Sequence, residues 1–234
     1  MIARDGWTFI LIGIVLTAVA LWSATKWDSR ILFVVGTILS LLTVFTVFFF
    51  RDPERSVALE PGILVAPADG RIVQIVTLPA HPFVGPNTIQ VSTFLSIFDV
   101  HVNRVPATGQ IDYAKYNPGK FMAAFNDKAS LENEQTEIGM TVASGQRVVF
   151  KQIAGLIARR IVCRLSEKDH VNAGDRFGLI KFGSRTDLLV PPGTRLAVKL
   201  GDHVRGGETV MGYLPSGVSL PEPARTGENA NGQL

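Results

Sequence analysis

Two long apolar runs near the amino terminus constrain this chain more than any other feature. Nearly every residue from 7 to 24 is apolar or small, and the twenty residues 31–50 carry no charge at all. At about 1.5 Å per helical residue, the second run reaches roughly 30 Å, the thickness of a bilayer core. Between them lies Thr25-Lys26-Trp27-Asp28-Ser29-Arg30, a polar turn with a tryptophan suited to the headgroup level. Residues 1–50 therefore read as a transmembrane helical hairpin. The first run also admits a cleaved signal peptide, because Ala18-Val19-Ala20 looks like a small-residue cleavage site. Even so, the second run would remain as an anchor.

A hairpin returns both flanks to one side. Arg4, Arg51 and Arg55 lie there, against Lys26 and Arg30 in the turn, and this balance leans toward a cytoplasmic bulk domain at the inner cell membrane. Only 18% of the residues are charged, fewer than the roughly 25% usual for soluble domains. The net charge of +3 shows no clustered basic face, which argues against nucleic acid. A single cysteine, Cys163, excludes an internal disulfide and a thiolate metal cluster, and no metal site is expected.

From residue 51 onward, short runs rich in Val, Ile, Leu and Phe are punctuated by Gly and Pro. They fall at 71–78, 88–94, 109–116, 137–141, 146–153, 158–165, 177–182, 195–200 and 208–214. This spacing predicts a mainly β (α+β) domain of antiparallel sheets over 51–214, with a helix open at 121–129. The segments 170–175 and 203–208 each read as strand, glycine turn, strand. That is the repeated hairpin of a barrel-sandwich hybrid, although two unrelated tight turns needing glycine would look the same. Neither holds a carrier lysine, so a swinging-arm carrier is not expected. Residues 215–234, rich in Pro, Gly, Ser and Asn, read as a mobile tail.

Four stretches could carry chemistry. Gly183-Ser184 follows an apolar run and precedes charged residues. It is either a loop between strands or the site of an internal acyl shift, in which the serine Oγ attacks the preceding carbonyl across a glycine that tolerates strain. Asp69-Gly70 places a carboxylate in a turn. In Asp99-Val100-His101-Val102-Asn103-Arg104-Val105-Pro106, strand alternation sets Asp99, His101 and Asn103 on one face, with the histidine suited to moving protons. The stretch Lys128 to Glu134, through Asn133, alone reads as surface.

In this order, together with the Phe49-Phe50-Arg51-Asp52-Pro53 junction and Arg176-Phe177-Gly178 ahead of Gly183-Ser184-Arg185, these motifs resemble the short, membrane-anchored form of the phosphatidylserine decarboxylase family. The resemblance runs from the junction to about Leu214. It implies a proenzyme that cuts itself between Gly183 and Ser184 and converts Ser184 to a covalent pyruvoyl group, with no external cofactor. That group would decarboxylate phosphatidylserine to phosphatidylethanolamine through a Schiff base. The resemblance also implies that Asp69 orients His101 to activate Ser184, and that the two resulting chains stay together; a homo-oligomer is open. The long form has a second histidine where this chain has Arg104. Either His101 serves both self-cleavage and decarboxylation, which is the favoured expectation, or processing relies more on backbone strain. Arg104 and Asn103 are expected to bind substrate, Arg104 through the lipid phosphate or the departing carboxylate. The substrate is a membrane lipid, so the hairpin reads as an anchor separable from the chemistry. Three alternatives remain: a non-catalytic β adaptor, a serine hydrolase using Ser184, His101 and Asp69, and a decarboxylase acting on another serine lipid such as archaetidylserine.

Overall fold

Both apolar runs are helical: α1 spans Trp7–Lys26 and α2 spans Arg30–Phe49. In this computed structural model, residues 1–57, 62–120, 133–155, 161–181 and 184–215 are described. Ser29 caps α2, its side chain accepting the Leu32 N–H at 3.4 Å. The helices pack through small residues. A Cβ on Gly13 would lie 2.5 Å from Thr43 Oγ1, and one on Gly36 would lie 2.5 Å from Leu21 Cδ2. Their outer faces expose Leu11, Val15, Trp22, Phe33, Leu41 and Val44, and both are long and apolar enough to cross a membrane.

The hairpin is tied to the domain at its base. Ala3 N–H donates to the Phe50 carbonyl at 2.8 Å, and Asp52 N–H donates to the Met1 carbonyl at 2.7 Å. Phe49 and Phe50 then pack with Ala3, Val100, Val102 and Leu179 in one buried cluster. A boundary at residue 50 divides that cluster, so anchor and domain share apolar packing.

The rest is mainly β and antiparallel. The strands are β1 (Ile63–Val65), β2 (Gly70–His81), β3 (Gly85–Leu95), β4 (Val102–Arg104), β5 (Gly109–Asn117), β6 (Gln135–Val142) and β7 (Arg147–Ile153). They continue with β8 (Ile161–Cys163), β9 (His170–Val171), β10 (Arg176–Ile180), β11 (Ser184–Val190), β12 (Arg195–Leu196), β13 (His203–Val204) and β14 (Val210–Tyr213). Eight of them form one sheet, in the order β13-β2-β3-β11-β7-β6-β5-β9, that curls into a half-barrel. Ile72, Val91, Ile111, Ile138, Phe150 and Leu188 fill its inner face. Two three-stranded sheets, β1-β14-β12 and β4-β10-β8, accompany it.

The two look-alike segments form the two edges of the large sheet, β9 on β5 and β13 on β2. Each turns through a glycine in the left-handed region, Gly174 at φ +83° and Gly207 at φ +78°. One element departs from the sequence reading. The residues after Gly183, read as a loop or a charged stretch, form β11, a central strand buried along its whole length. Its polar start hid it, because Arg185 and Asp187 are buried against each other with Nε and Oδ1 2.7 Å apart. Gly183, the helix open at 121–129 and the tail at 216–234 lie outside the described residues.

Candidate active site

Ser184 opens β11, opposite Leu95 at the end of β3. It is 0% exposed, and its Oγ has no hydrogen-bond partner among the described residues. Alternation puts Thr186 on the same face, and Thr186 stands opposite Thr93 on β3 and Gln152 on β7. Thr93 Oγ1, Thr186 Oγ1 and Gln152 Oε1 are likewise buried without partners. A buried polar atom left unpaired costs on the order of 1–3 kcal/mol, so several along one sheet face mark a place kept for chemistry or a ligand rather than for stability.

His101 is the nearby base. Asp99 lies in a turn and β4 begins only at Val102, so Asp99, His101 and Asn103 do not share a strand face as expected. The Asp99 carboxylate instead accepts the Ser96 N–H at 2.8 Å and lies 3.3 Å from His203 Nε2. The Asp99 backbone carbonyl sits 2.9 Å from His101 Nδ1. A carbonyl can only accept, so Nδ1 carries the proton and Nε2 keeps its lone pair. Nε2 is buried and has no partner among the described residues. Burial pushes the imidazole pKa down to about 4, with the Asp99 hydrogen bond opposing it more weakly. The Phe49 ring covers the imidazole at 4.1 Å between centroids. β4 begins just after His101 and pairs with β10, which ends at Ile180, four positions before Ser184.

The other expected residues are placed differently. Asp69 Oδ1 accepts the Gly206 N–H at 2.8 Å, and both its oxygens bind Arg55, at 3.2 and 2.9 Å. The hydrogen bond that orients His101 thus comes from the Asp99 carbonyl, and the Asp69 carboxylate is committed to Arg55. The glycine after it is required: a Cβ on Gly70 would lie 2.1 Å from the Phe94 carbonyl oxygen. Arg104 donates to the carbonyls of Gly174 at 3.0 Å and Pro53 at 2.8 Å, and to Asp52 at 3.3 Å. These bonds turn its guanidinium toward the junction after α2. Burial, then the nearby Arg176, lowers its pKa.

Asn103 does join the site. Its Oδ1 accepts from Gln152 Nε2 at 2.8 Å, while its Nδ2 is buried with no partner. Gly178 opposite leaves that room, since a Cβ there would come within 2.7 Å of Gln152 Nε2. Of the stretch from Lys128 to Glu134 only the end is described. Asn133 Nδ2 donates to the Ala154 carbonyl at 2.7 Å, and continuing the β11–β7 register sets Ala154 opposite Ser184. Sequence reasoning missed Gln152, Thr93 and Phe49; a period of two from Ser184 would have found Thr186. Two cavities open at the hairpin base. One, of about 410 Å³, is lined by Met1, Ile2, Arg176 and Leu179; the other, of about 490 Å³, by Arg51, Arg55, Asp69 and Arg205. Neither is lined by Ser184 or His101, both of which are 0% exposed. Among the described residues no group of three or more His, Cys, Asp or Glu side chains is disposed to hold a metal ion.

Comparison with known proteins decides the lineage. A phosphatidylserine decarboxylase family model matches residues 42–212. The chain belongs to the phosphatidylserine decarboxylase family. It is 52% identical over 173 residues to a phosphatidylserine decarboxylase proenzyme of Chlorobium phaeobacteroides, covering 74% of this chain and 80% of that one. The proenzyme of Symbiobacterium thermophilum is 42% identical over 92% of this chain and 96% of its own, and that of Salinibacter ruber 47% over 90% and 91%. The family match begins inside α2, so Phe49 and the junction fall within the part shared with the family. As a member of the family the protein is a decarboxylase.

Proposed function

We propose that the chain decarboxylates phosphatidylserine after cutting itself between Gly183 and Ser184. The observation that carries this reading is the pair of buried atoms without partners among the described residues, Ser184 Oγ and His101 Nε2. His101, neutral with its lone pair on Nε2, takes the Ser184 hydroxyl proton as Oγ attacks the Gly183 carbonyl. An Oγ–carbon bond forms and the Gly183–Ser184 amide breaks, returning the proton to the released nitrogen. Loss of the ester oxygen by β-elimination leaves a dehydroalanine at 184, and its hydrolysis releases ammonia and leaves a ketone.

The residues present fit that group. Ser184 supplies its atoms, and the unpartnered Asn103 Nδ2 and Thr186 Oγ1 offer hydrogen bonds on the same side of the site. When formed, the ketone supplies the electron sink that loss of carbon dioxide from an α-amino carboxylate requires. Around it, His101 moves the proton that must reach the substrate Cα, Phe49 excludes water from the imidazole, and Asp69 fixes Arg55 at the junction. The apolar helices hold the domain at a membrane where the lipid resides, with the domain on the cytoplasmic side. After cleavage, β11 stays bound between β3 and β7, which keeps the two chains together.

Intact mass after denaturation tests this. The expected result is two chains, residues 1–183 and 184–234, the second shifted in mass by conversion of its first residue to a ketone. Ser184→Ala should remain one inactive chain. Active protein that is a single uncut chain with an ordinary serine at 184 would overturn the proposal.

A further inference from the structure

Apart from Trp27 in the turn between the helices, the exposed large hydrophobic residues outside the helices, among those described, are Met1, Ile97, Phe98, Tyr116 and Leu200. Three of them adjoin the hairpin base. Phe98 is 63% exposed and Ile97 37%. Arg51 donates to the Phe48 carbonyl at 2.9 Å and to the Phe98 carbonyl at 2.6 Å, so the loop tip lies beside the last turn of α2. Met1 is at the same level, its carbonyl accepting from Asp52. Leu200 belongs to a neighbouring turn, which is linked to the loop through His203 and Asp99.

The loop is not loose chain. Ser96 N–H binds the Asp99 carboxylate at 2.8 Å, Asp99 N–H binds the Ser96 carbonyl at 3.0 Å, and Phe98 N–H donates to Ser96 Oγ at 3.3 Å. A tight turn therefore presents two adjacent apolar side chains to the outside. On a water-facing surface that is unfavourable; beside the end of a membrane-spanning helix it is what an interfacial wedge looks like. Arg51, stacked on the Phe48 ring at 4.0 Å, puts a cation where lipid phosphates lie.

We infer that the Ile97–Phe98 turn is a third membrane contact, inserted among the lipid headgroups beside α2. This rests on the reading of α1 and α2 as membrane-spanning. The occupant is the bilayer because the patch is continuous with the apolar exterior of α2 and carries a cation at its edge. The consequence reaches the site: Leu95, just before the turn, pairs with Ser184, and the Asp99 carbonyl that ends it holds His101. Seating the turn in the interface sets the depth of both residues relative to the lipid headgroups.

The test uses the full chain with Cys163→Ser, reconstituted in phosphatidylcholine–phosphatidylserine vesicles. It carries a nitroxide at Phe98→Cys or, as an anchor control, at Leu41→Cys within α2. Both labels are expected to be relaxed by oxygen more than by a water-soluble nickel chelate, with 41 deeper than 98. A label at 41 in the bilayer and one at 98 open to the chelate, or broadened by contact between two copies, overturns the inference and leaves the anchor standing. Both labels open to the chelate overturn both. In parallel, Ile97→Ser with Phe98→Ser should lower the ratio of kcat/KM on vesicle substrate to that on short-chain monomeric substrate by about tenfold. An unchanged ratio overturns the inference.

Discussion

His101 is buried beneath Phe49 with its Nδ1 proton on a backbone carbonyl, and its pKa lies near 4 rather than at the ordinary 6.5. The form that can take a proton from Ser184 is the neutral one, so protonation stops the reaction. The rate of proenzyme self-cleavage should therefore hold level from pH 7 to about 5 and fall only as pH approaches about 4. Following processing on denaturing gels across pH checks this, and an acid limb near 6.5 would mean that the imidazole is solvated. Arg185 belongs to the same scale. Arg185→Met would remove the buried guanidinium that Asp187, Gln74 and Ser92 bind, at a cost of roughly 3–5 kcal/mol. A drop of roughly 10 °C in Tm is expected in detergent. Serine and histidine were legible in the sequence because their neighbours form motifs. The orienting group was not, because a backbone carbonyl leaves no mark on residue identity, and Asp69 entered only through the family resemblance.

At the scale of elements, α2 is more than a helix long and apolar enough to cross a membrane. Its last residue, Phe49, is 1% exposed and lies on the His101 imidazole. Sequence alone makes the hairpin a detachable anchor; the packing does not. Phe49→Ala should destabilise the protein by roughly 3–5 kcal/mol and admit water to His101. The acid limb of self-cleavage should then move up toward 6.5, a shift that loss of stability alone would not produce. Deleting 1–50 should reduce turnover even on detergent-dispersed substrate. Turnover equal to that of the full chain would show that Phe49 is dispensable to the site. Strand β11 illustrates the opposite failure of legibility. Its first four residues have the composition of a loop, and they are strand only because Ser92, Gln74 and Asp187 meet Arg185 inside the fold.

For the whole molecule, the cut would fall at the mouth of the sheet's central strand. Residues 184–234 then contribute β11 to the centre of the sheet, between β3 and β7, and also β12, β13 and β14. The two chains should co-elute in detergent by size exclusion and separate only in denaturant; dissociation under native conditions would contradict this arrangement. The sequence by itself determined the two apolar helices and the antiparallel β class, and it marked Ser184 and His101 as candidates. Each of these depends on local composition or on spacing along the chain. Only the tertiary structure decided that Asp69 faces Arg55, that Arg104 clamps the junction, and that Gln152, Thr93 and Thr186 line one face with Ser184. Apart from Thr186, two residues from Ser184, those pairings join residues 14 to 91 positions apart. The register of an antiparallel sheet brings them together, and no periodicity in the chain encodes it.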